Sequence, residues 1–294
     1  MHEPSTKSAL TPNGGGEFTR ALLASQKTAI AAVETSLEAI VTAAAAMAEA
    51  LRAGGRAIYA GAGSSGLIAL QDGAELSGTF GLDPDKIRFA VAGGLRDVAH
   101  IDAAAEDDRA AGARDIVEAG CSQGDIVIAV SASGSTPYTL ACADVARKVG
   151  ARLIGIANRP KAPLLAVADF PVLLDSGPEA LHGSTRLAAG TAQKAALGLI
   201  STLANSSLGH VWRGHMVNVR PENDKLRARA AHIIASSTGV AEAAARAFLA
   251  QANDDVKCAI LIASGVASYG AARRCLEEAQ GHLDIALSRL RESV

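Results

Sequence analysis

Two stretches of the chain set glycines and hydroxyl residues where an anion could be held. The first, Gly61-Ala62-Gly63-Ser64-Ser65-Gly66, follows the apolar run Ala57-Ile58-Tyr59-Ala60 and passes into Leu67-Ile68-Ala69-Leu70. That is the order of a buried strand, a tight loop and a helix start. Glycines let the backbone approach a ligand closely, amides at a helix N-terminus point at an anion, and Ser64 and Ser65 add hydroxyl donors. A plain strand-to-helix turn with a cap would use the same residues. The second stretch, Ser131-Ala132-Ser133-Gly134-Ser135-Thr136-Pro137, follows Asp125-Ile126-Val127-Ile128-Ala129-Val130. It crowds the hydroxyls of Ser131, Ser133, Ser135 and Thr136 at one helix N-terminus, with Pro137 where a first-turn proline is accommodated. Four hydroxyl residues within six positions exceed what capping requires, which favours an anion site over a plain cap.

Other chemistries fit less well. The first loop has the bare G-x-G-x-x-G spacing but no acidic residue closing the next strand, and no G-x-x-x-x-G-K-[ST] occurs, so neither a dinucleotide site nor a Walker-type nucleotide site is favoured. Cys121, Cys142, Cys258 and Cys275 are far apart and form no C-x-x-C pair; they read as residues of a reduced, cytoplasmic protein without a metal site. No cofactor is implied. A formal charge of −2 over 294 residues argues against nucleic acid or an anionic membrane as the main partner. No stretch approaches the roughly 20 apolar residues of a membrane span, and no secretory signal opens the chain. A soluble protein is expected.

The elements that would position the loops follow from the apolar pattern. Residues 1–17 are polar and rich in Gly and Ser and read as a flexible arm. Phe18 to Arg52 is helical by spacing, as one long helix or two with a bend, and Gly54-Gly55 ends it. Further β-type runs lie at 87–92, 125–132, 152–157 and 170–174, separated by helical or loop segments at 67–76, 97–119, 138–149 and 163–167. Such alternation predicts an α/β fold, a doubly wound and mostly parallel sheet with helices on both faces. Beyond residue 215 the chain turns all helical, with stripes at 224–235, 240–251, 254–263, 268–279 and 282–290, a C-terminal helical bundle. The domains expected are thus 18–215 and 216–294.

Read together, the pieces carry a resemblance. The two serine loops, Asp72-Gly73-Ala74-Glu75-Leu76-Ser77-Gly78-Thr79-Phe80-Gly81, Ala105-Glu106-Asp107, Gly177-Pro178-Glu179, Gly183-Ser184-Thr185-Arg186-Leu187, Ala189-Gly190-Thr191-Ala192-Gln193-Lys194 and Asn223-Asp224-Lys225-Leu226 come in one order. In that order the chain resembles the sugar isomerase domain family. Within it the resemblance is to the N-acetylmuramic acid 6-phosphate etherases, which have the glucokinase regulatory protein as a non-catalytic relative. It covers nearly everything after about residue 20.

The resemblance implies cleavage of the D-lactyl ether at C3 of the sugar phosphate. The ring opens to the aldehyde, a base removes the C2 proton, lactate leaves, and water adds to the unsaturated aldehyde. Two carboxylates do this proton work. Their family positions fall on Glu106, assigned to the C2 proton, and Glu75, assigned to the leaving group and water. A proton α to an aldehyde is within reach of a carboxylate base, and a second carboxyl group held protonated can assist the leaving oxygen. Without the resemblance, Glu106 would pass for the first turn of a helix and Glu75 for a surface charge.

Ser184 and Thr185, read as the N-cap of the next helix, become candidate sugar contacts, as does Lys194; Glu179, His182 and His215 are weaker candidates. Similar enzymes are homodimers with sites near the subunit interface, so Asn223 and Lys225 are placed to reach a partner's site. The chain also departs from the family. Leu67 and Ser135 stand where arginine is usual, Ala188 where lysine is usual, and Ala74-Glu75-Leu76-Ser77-Gly78-Thr79 replaces Ser-Glu-Cys-Pro-Pro-Thr. The N-terminal Thr-Glu-x-Arg-Asn segment is missing. These departures leave open a different 3-O-substituted sugar phosphate. A non-catalytic sugar-phosphate-binding regulator and an aldose–ketose phosphate isomerase are the other two readings, and the presence of both glutamates favours the lyase.

Overall fold

The computed structural model describes residues 15–95 and 103–292. Two compact units emerge: the described residues up to Gly73 together with Ile87–Ile200, and Ala74–Lys86 together with the residues from Ser201 onward.

The first unit opens with α1 (Gly15–Glu34) and α2 (Leu37–Arg52), two helices that meet at a 64° bend. The bend falls at Thr35 and Ser36, whose hydroxyls turn back to the carbonyl of Ala32 at 2.9 and 3.1 Å. Side chains of this type compete with the helical hydrogen-bond ladder. Ser36 also donates to the carbonyl of Leu173 in the last strand of the sheet. Of the arm expected over residues 1–17, residues 15–17 already belong to α1 and the rest lies outside the described residues.

Five strands follow, β1 (Ala57–Gly61), β2 (Ile87–Val91), β3 (Ile126–Ser131), β4 (Arg152–Ala157) and β5 (Phe170–Leu173). All pair in parallel, in the order β2-β1-β3-β4-β5. Every residue of β1 and β3 is buried, as expected of a parallel sheet covered on both faces. The crossovers are α3 (Gly63–Phe80), which leaves the loop after β1, then α4 (Arg109–Glu118), α5 (Pro137–Lys148) and the single-turn α6 (Pro163–Val167). Of the helical segment expected over 97–119, residues 97–102 lie outside the described residues, and 103–106 form one turn of 3-10 helix before α4. From β1 the chain moves outward to β2 on one side and, through β3, to β4 and β5 on the other. The reversal therefore falls between β1 and β3, and crevices at such reversals, beyond the carboxyl ends of the strands, are where open α/β sheets hold ligands.

The opposite ends of β1 and β3 are tied together. The Arg56 amide donates to Asp125 Oδ1 at 2.8 Å and its guanidinium to Oδ2 at 2.8 Å, while the Ser122 amide and hydroxyl reach Oδ2 at 2.9 and 3.0 Å. Burial alone would raise the Asp125 pKa, but the Arg56 and Ser122 donors outweigh it and hold the carboxyl below its usual range.

A long helix, α7 (Ala188–Ser207), precedes a short hairpin, β6 (Val211–Trp212) and β7 (His215–Met216). Arg213 and Gly214 at its tip have φ of 50° and 77°, the left-handed pair that a two-residue turn demands. The second unit continues as α8 (Asp224–Thr238), α9 (Glu242–Gln251), α10 (Val256–Ala263), α11 (Tyr269–Glu278) and α12 (Leu283–Glu292). Asn223, Asp255 and Ser268 cap α8, α10 and α11 by accepting from the amides of Leu226, Cys258 and Ala271. Ile233, Ile234, Leu249, Ile260, Leu261 and Leu283 form the centre of this bundle. Two basic groups, buried Lys257 and half-buried His210, are held in the same unit. The Lys257 ammonium donates to the carbonyls of Gly209 and Gly281 at 3.3 and 3.1 Å, and His210 Nδ1 lies 2.9 Å from Asn205 Oδ1.

Candidate active site

The first serine loop is built around close backbone approach. At Gly61 an added Cβ would lie 3.0 Å from Gly66 Cα, so the two glycines fold the strand end onto the helix start. At Gly63, where φ is 53°, a Cβ would lie 2.3 Å from Glu106 Oε1. Glycine is needed there twice over, for the backbone and for the carboxylate. Ser65 is buried and Ser64 half-buried. Glu106 closes the 3-10 turn Ala103–Glu106, which packs against α5. It is not the first turn of α4: Asp108 caps that helix by accepting from the Ala111 amide at 2.8 Å. Glu106 is left half-buried, against the start of α3.

In the second loop the hydroxyls bind one another. Ser131 Oγ lies 2.7 Å from Thr136 Oγ1 and accepts from the Gly134 amide at 3.0 Å, while Ser133 Oγ accepts from the Ser135 amide and hydroxyl, each at 3.1 Å. Thr136 occupies the N-cap of α5 but makes no side-chain cap bond. The Thr136 hydroxyl thus leaves the first α5 amides uncapped, with a rim of hydroxyls beside them. Ser131, 2% exposed, is the hub that holds the loop; Ser133, Ser135 and Thr136 form its accessible edge.

A third segment completes the crevice. The expected N-cap at Ser184 and Thr185 is corrected: α7 begins at Ala188, and its first amides are taken by Glu179, which accepts from Ala188 and Ala189 at 3.0 and 2.9 Å. A carboxylate satisfies two amides at once and opposes the positive end of the helix dipole, which a hydroxyl cannot do. Ser184 and Thr185 instead line a cavity of about 350 Å³ shared with Ser133, Arg159, Glu179 and His182. Its floor is fixed by Asn158, whose amide donates to the Leu174 carbonyl and Ser176 Oγ at 3.0 and 3.2 Å and accepts from Gln193 at 2.8 Å.

Other expected residues lie elsewhere. Lys194 is exposed on α7 and lines a separate groove of about 920 Å³ with Lys27, Ile30, Leu37 and Leu199. Asn223 caps α8, Lys225 is exposed on that helix, and His215 lies in β7. Glu75 is exposed on α3, twelve residues beyond Gly63, a rise of about 18 Å along the helix. No proline stands at Ser77-Gly78, and α3 runs on unbroken to Phe80. Arg159 was not anticipated. The available signal was its place, two residues beyond β4 and before Pro160, the same carboxyl end of a parallel strand that marks both serine loops.

Residues 22–158 match the SIS domain family. A relative from Deinococcus radiodurans, an N-acetylmuramic acid 6-phosphate etherase, is 45% identical over 223 residues, covering 76% of this chain and 73% of its own. Etherases of the same name from Geobacillus thermodenitrificans and Streptomyces avermitilis are 39% and 40% identical, over 77% and 78% of this chain and 77% and 73% of theirs. Among solved structures, one described as a sugar-phosphate isomerase from Listeria monocytogenes superposes with a TM-score of 0.50 at 18% identity, over 67% of this chain and 92% of that one. That likeness speaks to the fold alone.

Proposed function

This chain belongs to the N-acetylmuramic acid 6-phosphate etherase family, and we propose from that membership the reaction its site performs. It is a carbon–oxygen lyase that converts N-acetylmuramic acid 6-phosphate and water to N-acetylglucosamine 6-phosphate and D-lactate, a step of amino sugar recycling from peptidoglycan. The observation that carries this reading at the residue level is the Glu106 carboxylate held against Gly63, at the start of α3 beside the β1–β3 reversal. The open-chain aldehyde makes the C2 proton acidic. Glu106 takes that proton, the electron pair forms the C2–C3 double bond, and the C3–O bond breaks toward lactate. A second carboxyl group, protonated, gives its proton to the departing oxygen and then draws a proton from the water that adds at C3, while Glu106 returns a proton to C2. The hydroxyls of Ser64 and Ser65 and of Ser133, Ser135 and Thr136, with the amides of α3 and α5, hold the phosphate. Ser131 shapes the second loop, and Ser184 and Thr185 face the sugar.

We assign the second carboxyl group to Glu75 of another copy of the chain. Glu75 lies twelve residues beyond Gly63 on α3, a rise of about 18 Å, whereas Glu106 lies against Gly63 at the start of that helix. The active form is then a cytoplasmic homodimer.

Lactate release in deuterated water tests the reaction. Wild type should release D-lactate and place deuterium at C2, and Glu75→Ala and Glu106→Ala should each abolish release. Exchange at C2 without release by wild type would point to an isomerase, and tight sugar-phosphate binding with neither exchange nor release to a regulator. Co-refolding the two inactive variants should restore roughly a quarter of wild-type activity if each site draws one glutamate from each subunit; mixtures that stay inactive would return both glutamates to a single chain.

A further inference from the structure

We propose that Arg159 binds the carboxylate of the sugar's 3-O substituent and thereby selects the lactyl ether over sugar phosphates that lack it. The inference rests on the functional reading above, in which the substrate carries two anionic groups. Neither serine loop contains a cation, and both set neutral hydroxyls beside a helix N-terminus, donors suited to a phosphate. The α7 amides, which might have served the second anion, are already occupied by Glu179. The cavity shared by Ser133, Ser184 and Thr185 has one permanently charged cation among its lining residues, Arg159.

The backbone that carries it is restricted from both sides. The Asn158 side chain is tied by three hydrogen bonds, and Pro160 restricts the backbone of the residue before it. Among the described residues no carboxylate forms an ion pair with Arg159, although its head group is exposed at the cavity. The planar guanidinium of Arg159 presents paired N–H donors that match a planar carboxylate in a fork.

The test measures binding by calorimetry in a Glu106→Gln background, where substrate is not consumed. Adding Arg159→Ala should weaken N-acetylmuramic acid 6-phosphate by about 10- to 100-fold and leave N-acetylglucosamine 6-phosphate, which has the phosphate but no carboxylate, within about 2-fold. Arg159→Lys should recover part of the loss. Retained product binding also shows that the variant is folded. Equal weakening of both ligands would overturn the proposal and make Arg159 a phosphate ligand; no change in either would remove it from anion binding altogether. If wild type released no lactate, the functional reading would fall, whereas lactate release with an indifferent Arg159 would sink only the present inference.

Discussion

At the scale of single residues, Gly63 joins loop geometry to chemistry. Its left-handed φ and the carboxylate 2.3 Å from where a Cβ would sit act on different properties when the glycine is replaced. Gly63→Ala should cost about 1–2 kcal/mol of stability for the backbone conformation, a modest fall in Tm. It should lower kcat by about 10-fold or more because Glu106, the proposed base, must move from its place against Gly63. Steady-state kinetics beside a thermal melt separates the two, and a variant with lowered Tm but unchanged kcat would mean that Glu106 works from another position. The glycine and serine spacing made both loops legible from sequence. The glutamates were legible only by resemblance, since neither type nor spacing distinguishes Glu106 from a helix-capping acid. Arg159 was overlooked because a lone arginine between apolar runs looks like surface charge until the cavity beside it is seen.

The elements show why the fold was easier to read than its details. Apolar runs of five or six residues between helical stretches gave the parallel sheet, and β4 begins and ends where the pattern places it. The start of α7 was misplaced because Ser184 and Thr185 are good caps locally, whereas the group that caps the helix, Glu179, comes from nine residues before Ala188; tertiary contact decided against local preference. The Arg56–Asp125 tie, between residues 69 apart in sequence, was likewise invisible to spacing. It joins the ends of β1 and β3 remote from the crevice, and Asp125→Ala should leave the half-buried Arg56 without its partner and Ser122 without its acceptor. A loss of about 2–4 kcal/mol in urea unfolding is expected, larger than for Asp125→Asn, which keeps an acceptor for the Arg56 amide. Equal losses for the two would show that the neutral acceptor adds nothing and that the charge carries the stability.

At the scale of the whole molecule, the described residues contain no single helix long and apolar enough to cross a membrane; two pairs reach that composition only jointly, across bends of 64° and 108°. The helical second unit carries its own pH dependence. Burial, then the nearby charges of Lys257 and His282, pushes His210 down from 6.5 to about 4. Between those values the unfolded chain binds a proton that the folded chain does not, so the stabilising contribution is complete above about 6.5 and is lost progressively as pH falls toward 4. The loss should be up to about 3 kcal/mol. His210→Gln, which can still donate toward Asn205, should flatten this part of the pH–Tm curve relative to wild type. Parallel curves for the two proteins would place the acid sensitivity in other groups.

The strand order also bears on how the chain comes off the ribosome. β1 is the second strand from one edge of the finished sheet but the first to be synthesised, and one of its two partners, β3, begins at Ile126, 65 residues after β1 ends. Until that segment emerges, β1 can pair only with β2, and its other side is an uncovered apolar edge, open to pairing with neighbouring nascent chains. The crevice between the serine loops cannot exist before then either, because one of its walls has not been made. Ligand can therefore stabilise this protein only after the most aggregation-exposed interval of its synthesis has passed.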